Sequence, residues 1–123
     1  MYQKAIRSTF ITLVVTGALT SSISSYAHCG SGWNTRVVPD RWGAAKFSAA
    51  CDVHDHCYET CGTNRKTCDQ ELRKLLKKAC RRAYTSPWHK VHKNSCLKVA
   101  DIYYNSVRKN GSDPFKDAQK VCR

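Results

Sequence analysis

Apolar positions recur at helical spacing in two neighbouring stretches of the chain. Phe47, Ala50, Cys51, His54, Cys57, Tyr58 and Cys61 predict a helix over Ala45–Cys61, and Gly62 is placed to end it. Thr63–Arg65 reads as a short turn. Leu72, Leu75, Leu76, Ala79 and Cys80 then form an apolar stripe, predicting a second helix over Lys66–Arg82. Its lysines and arginines lie mostly opposite. Two helices joined by so short a turn pack antiparallel. Residues 83–94 read as a basic, aromatic connection carrying Tyr84, Pro87, Trp88, His89 and His92. A third helix is expected over Cys96–Lys109, capped by Ser95 and stopped by Gly111. Asp113-Pro114 opens a short last helix. His28–Trp42 reads as loop, with Gly30, Gly32 and Pro39 and little periodicity. No strand, internal repeat or low-complexity tract stands out. The expected class is mostly α.

The beginning of the chain follows a different pattern. Lys4 and Arg7 precede a short apolar run, Phe10–Leu19, and Ser25-Tyr26-Ala27 offers small residues where a signal peptidase reads. The run is well short of the roughly 20 residues a membrane span needs. Residues 1–27 are therefore expected to be a secretory signal and 28–123 a single small domain. All eight cysteines fall in the second part, and an even count in a small exported chain implies four disulfides. A zinc site is disfavoured, because no Cys-x-x-Cys pair occurs. Removing Lys4 and Arg7, and no acid, takes the formal charge from +12 to +10. That favours anionic surfaces as partners.

Two placements carry chemistry. In Cys51-Asp-Val-His54-Asp55-His-Cys57-Tyr58, neighbouring side chains on a helix point about 100° apart. His54 and Asp55 therefore face different partners, while Tyr58 shares the His54 face. His56 points off that face and has no assigned role. In the second helix Asp69 lines up with Leu72, Leu76 and Cys80 on the inward edge, where a carboxylate is costly without a partner. The first helix would supply one. The alternative for Asp69 is a partly exposed residue favoured by the helix N-terminus.

Ester hydrolysis at neutral pH needs a base for water, a polarised carbonyl and a stabilised oxyanion. Histidine suits the first task, and a buried carboxylate on its far nitrogen fixes the tautomer. A divalent cation does the other two. Asp55 offers carboxylate oxygens to calcium, and Cys29-Gly30-Ser31-Gly32 is a loop able to offer backbone carbonyls. No serine sits in a Gly-x-Ser-x-Gly elbow, which disfavours a serine hydrolase.

The 51–58 run resembles the Cys-x-x-His-Asp-x-Cys-Tyr active-site helix of secreted phospholipase A2. Cys29-Gly30-Ser31-Gly32 resembles that family's calcium loop, and Cys68-Asp69 the Cys-Asp of its second long helix. The three matches occur in the family's order across Cys29–Cys80. The resemblance implies a disulfide-stapled domain of two long antiparallel helices, a calcium loop and one or two further C-terminal helices. It implies His54 as general base, Asp69 as its orienting partner and Tyr58 as a hydrogen-bond donor to Asp69. It implies calcium held by Asp55 and by loop carbonyls near His28, Gly30 and Gly32, with the Gly30 N–H at the oxyanion. Its bridges would be Cys29–Cys51 and Cys57–Cys68. Cys61, Cys80, Cys96 and Cys122 then pair among themselves in an order the resemblance leaves open. The chain departs from the animal enzymes at Ala50, where they have a second cysteine, and at Trp33, where they have glycine. Cleavage after Ala27 would also remove their N-terminal helix. These departures look more like compact non-animal members, and Asp40 offers itself as a further calcium ligand.

The implied activity is calcium-dependent hydrolysis of the sn-2 acyl ester of glycerophospholipids by an exported monomer, extracellular or periplasmic. The implied partner is an anionic membrane or micelle surface. The alternatives are a non-catalytic cationic protein that binds or disrupts membranes on the same scaffold, and an unrelated cationic antimicrobial or nucleic-acid-binding protein. No nucleic-acid motif is recognisable. Trp33, Trp42 and Trp88 suit either a bilayer interface or internal packing. His89 and His92 read as solvated rather than as metal ligands.

Overall fold

The computed structural model describes Cys29 and residues 40–122. The expected signal, His28, and the loop residues Gly30 and Gly32 lie outside these residues. The first described elements are two strands of two residues each, β1 (Arg41–Trp42) and β2 (Ala45–Lys46), paired antiparallel with Arg41 opposite Lys46. This ladder corrects the expectation of no strand, and its cause is local. Gly43 takes φ +52°, a left-handed conformation open to glycine, and turns the chain back on itself. Ala44 N–H donates to the Tyr84 hydroxyl at 3.1 Å, fastening the hairpin to the end of the second long helix. Because Ala45 and Lys46 are committed to the ladder, helix α1 starts at Ser48 rather than Ala45 and runs to Glu59.

Helix α1 ends where Thr60 N–H bonds back to the His56 and Cys57 carbonyls, so Cys61 stands outside it. Gly62, at φ +76°, makes the turn that follows. Helix α2 (Arg65–Ala83) lies within one residue of the expected span at each end. The Asn64 side chain caps it by accepting from Thr67 N–H at 3.1 Å. Arg81 and Arg82 sit in its last turn, where the helix dipole favours cations.

The third helix departs most from its expected boundaries. Residues 83–94 are not a connection alone: a 3-10 turn, Pro87–His89, leads directly into α3 (Lys90–Asn110). Ser86 accepts from Trp88 N–H and Pro87 supplies a fixed φ, so the cap comes nine residues before Ser95. Helix α4 (Ser112–Gln119) follows Gly111 immediately.

The helices stack around one core. Helix α1 buries Ala50, Cys51, His54 and Tyr58, and α2 buries Cys68, Asp69, Leu72, Leu76 and Cys80. Phe47 is fully buried with its ring against the edge of Tyr103, 5.4 Å between centroids. Removing a side chain such as Leu76 from water is worth about 1.5–3 kcal/mol. All four disulfides form among the described residues, including Cys29–Cys51 and Cys57–Cys68. The other four cysteines pair as Cys61–Cys122 and Cys80–Cys96. Cys57–Cys68 joins the end of α1 to the start of α2, and Cys80–Cys96 joins the end of α2 to the first half of α3. Both pairs of helices therefore run antiparallel. Asp101 of α3 receives Arg73 Nε at 2.6 Å and Lys77 Nζ at 3.1 Å, a half-buried tie between α2 and α3.

Candidate active site

Helical spacing delivers His54 and Tyr58 to one face of α1, four residues apart, and the antiparallel α2 presents Asp69 to both. His54 Nε2 lies 2.7 Å from Asp69 Oδ1, and the Tyr58 hydroxyl donates to the same oxygen at 2.6 Å. The His54 and Tyr58 rings pack at 4.2 Å between centroids. Asp69 is wholly buried, and His54 is 7% exposed. With Nε2–H committed to the carboxylate, Nδ1 carries the imidazole lone pair.

A buried carboxylate has room for more than two donors. Arg108 Nη1 of α3 donates to Asp69 Oδ2 at 2.7 Å, and Arg65 Nη1 stands 3.7 Å from the same oxygen. Arg65 also donates to the Val107 carbonyl at 3.1 Å and the Arg108 carbonyl at 3.3 Å, joining the start of α2 to the end of α3. Burial raises the Asp69 pKa, but hydrogen bonds from His54, Tyr58 and Arg108 outweigh it. The carboxyl is held below its ordinary range. Tyr58 moves the other way, raised first by burial and then by its bond to Asp69.

Neither arginine was among the residues expected from sequence. Arg65 carries a usable signal, since it stands four before Asp69 and hence on the same helix face, but the periodicity alone sets it in the turn. Arg108 is 39 residues from Asp69. A buried carboxylate demands a cation, yet nothing in the chain distinguishes Arg108 from Lys109 as its source.

Behind the pair, α4 closes over Tyr58. Phe115 meets the Tyr58 ring edge-on at 5.2 Å. Gln119 Nε2 donates to the Tyr58 and Thr60 carbonyls at 2.7 and 2.9 Å, while its Oε1 accepts from Gly62 N–H at 3.1 Å. Gly111 leaves no room for a side chain, since a Cβ there would stand 2.6 Å from the Tyr58 hydroxyl.

Asp55 is exposed and, one residue after His54, lies about 100° further round α1. Desolvation raises its pKa; His54 opposes the rise, and Glu59 and Asp52 add to it. Asp55 lies one turn after Cys51, whose bridge brings Cys29 to the same side of α1. Cys29 N–H donates to Asp40 Oδ1 at 2.6 Å, so Asp40 steadies the start of that segment. Among the described residues no three His, Cys, Asp or Glu side chains cluster to hold a metal. A hard cation at Asp55 would need further oxygens, and backbone carbonyls of the glycine-bearing stretch that follows Cys29 in sequence are of the right chemical kind. His89 and His92 instead pack with Tyr84, at 6.1 and 6.0 Å between centroids.

The family model described as group XII secretory phospholipase A2 precursor matches residues 24–123. The chain belongs to that family. The human group XIIA secretory phospholipase A2 is 33% identical over 82 residues, covering 66% of this chain and 43% of that protein. Its mouse counterpart is 31% identical over 80 residues, covering 65% and 42%. The mouse group XIIB secretory phospholipase A2-like protein is 30% identical over 81 residues, covering 65% and 42%. The aligned part thus spans less than half of each of these relatives. No solved structure matches. The superfamily is the one the His54 motif suggested, and these three relatives are mammalian. Ala50 is consistent with the bridge pattern of this chain, in which Cys51 pairs with Cys29 and the neighbouring position needs no cysteine.

Proposed function

We propose that this group XII chain is an extracellular, calcium-dependent phospholipase A2 that hydrolyses the sn-2 ester of glycerophospholipids at an anionic membrane surface. The observation that carries the reading is the buried His54–Asp69 contact at 2.7 Å with Tyr58 on the same oxygen. A purely structural histidine has no need of a wholly buried carboxylate held by two further hydrogen-bond donors, Tyr58 and Arg108. The secretory family supports an extracellular protein; the periplasmic alternative has nothing comparable behind it.

In this reading His54 acts as general base through Nδ1. It takes a proton from water, and the hydroxide forms a bond to the sn-2 carbonyl carbon. Asp69 holds the ring orientation and offsets the imidazolium charge while it lasts. As the tetrahedral adduct collapses, the bond to the glycerol oxygen breaks and His54 returns its proton to that oxygen. The products are a lysophospholipid and a fatty acid. The Gly30 N–H is assigned to the oxyanion. Asp55, with carbonyls near His28, Gly30 and Gly32, would hold calcium, which supplies Lewis-acid polarisation of the carbonyl when bound. The protein is expected to act as a monomer.

The test is fatty-acid release from phospholipid vesicles with calcium, with chelator, and with His54→Gln. Release that depends on both calcium and His54 supports the reading. Release surviving chelator and the substitution would sink it. Vesicle leakage without release would assign the scaffold to the non-catalytic, membrane-disrupting alternative.

A further inference from the structure

A second feature lies on another face of α1. A groove of about 490 Å³ opens between α1, α2 and the β1–β2 hairpin, and neither His54 nor Asp69 lines it. Its floor is made of small apolar side chains. Ala49 and Val53 stand four apart along α1; Leu75, Ala79 and Ala83 stand four apart along α2. Rows of alanine leave a furrow that leucines in the same places would fill. Val53 adjoins His54 in sequence but points about 100° away around the helix. The groove therefore lies on a different face of α1 from His54.

The rim is cationic. Lys78 and Arg82, four apart on α2, and Lys46 on β2 line the groove, and all three are exposed. None of the three has an ion pair with a described residue, although Arg73, Lys77, Arg65 and Arg108 all do. All nine acidic side chains of the chain fall between Asp40 and Asp117. No residue outside the described ones can therefore supply a side-chain carboxylate to neutralise them, and none of the nine lines the groove. An apolar furrow with uncompensated positive charge at its edge fits a ligand with one apolar chain and one anionic end. Its volume lies in the range of small-molecule sites.

We infer that the groove binds a free long-chain fatty acid, the chain along the alanine furrow and the carboxylate at Lys78, Arg82 and Lys46. The site stands apart from hydrolysis and is open whether or not His54 is competent. A long-chain carboxylate is also what ester hydrolysis at His54 would release, so occupancy would couple product level to the state of the α1–α2 contact.

The experiment is a titration of the full exported domain with cis-parinarate, followed by displacement with palmitate, below micellar concentration and in chelator. Saturable binding of one molecule per chain is expected. Shortening the competitor should weaken displacement roughly three- to fourfold per methylene removed. The surface double variant Lys78→Met/Arg82→Met should weaken binding about tenfold, and methyl palmitate should compete as poorly against the unaltered protein. Ala79→Trp, checked for retained helicity by circular dichroism, should abolish binding by filling the furrow. His54→Gln should bind as the parent does, which separates this site from the proposed catalytic one. Affinity unchanged in the double variant, binding lost with His54→Gln, or binding to anionic vesicles with none to monomeric fatty acid would each overturn the inference. The last outcome would make the cationic rim a membrane-docking patch.

Discussion

Arg108 donates to the Asp69 oxygen that His54 and Tyr58 leave free. The carboxylate is thereby bonded on both sides, and its orientation toward His54 is fixed from three helices. Removing one partner of a buried charge leaves that charge uncompensated. Because Arg108 is partly exposed and water can reach its place, Arg108→Gln is expected to cost roughly 2 kcal/mol of stability. Chemical denaturation would measure this. Arg108→Lys should recover part of the loss, since it restores charge without the planar fork.

Asp69 also makes a claim about pH. Its folded pKa is depressed, with burial opposing and the His54, Tyr58 and Arg108 bonds prevailing. Unfolded, it titrates near the ordinary value of about 3.9. The unfolded state then binds the proton first, so Asp69 contributes stability above that value. The contribution is lost as pH falls toward and through the folded pKa. Denaturation midpoints should decline between about pH 5 and the acid limit, and Asp69→Asn should flatten that decline. An unchanged slope in the variant would assign the acid sensitivity to other carboxylates.

Tyr58→Phe removes one donor from Asp69 Oδ1 and leaves the His54 bond and the Phe115 packing in place. The expected cost is about 1–2 kcal/mol of stability. If hydrolysis is found, the same change should lower kcat several-fold and leave KM near its parent value, because the hydroxyl acts on Asp69 rather than on substrate. A change confined to KM would contradict the positioning role of Tyr58.

What the chain disclosed in advance follows from the range of the interactions involved. His54, Tyr58 and Asp69 were legible because helical periodicity is local and both helices carry it strongly. The α1–α2 pairing needed only a short connection, residues 60–64. The start of α3 is hidden in the sequence because Trp88, His89 and His92 break the apolar pattern, while Ser86-Pro87 sets the boundary by backbone chemistry. The β1–β2 ladder was invisible because two-residue strands carry no alternation, and one glycine at φ +52° decides them. Arg108 escaped because its bond joins elements 39 residues apart. The Cys61–Cys122 pairing depends on where α4 docks, which spacing does not encode.

Gly111 permits that docking. A Cβ there would meet the Val107 carbonyl and come within 2.6 Å of the Tyr58 hydroxyl and 3.3 Å of Arg65 Nη1. Backbone on one side and two Asp69-bound groups on the other leave little to give. Gly111→Ala should destabilise by about 1–3 kcal/mol, despite the higher helix propensity of alanine. Proton NMR should show the Tyr58 ring resonances displaced. A neutral or stabilising result would mean that the α3–α4 junction shifts without cost.

The Cys61–Cys122 bridge is expected to be the first to reduce. Cys61 is exposed and Cys122 half-buried, whereas each of the other bridges has at least one buried sulfur-bearing residue. Access governs thiolate attack. The bridge closes a span of 61 residues, and in the chain-entropy account its loss costs about 4 kcal/mol. Its structural effect should be local, because Gln119 and Phe115 hold α4 against Tyr58 by a few contacts only. Brief mild reduction followed by alkylation and peptide mapping should label Cys61 and Cys122 ahead of Cys57 and Cys68. Hydrogen exchange should then rise across Ser112–Gln119 while α2 keeps its protection. Reduction of Cys80–Cys96 before Cys61–Cys122 would show that local opening of α2 and α3, rather than surface exposure, sets the order.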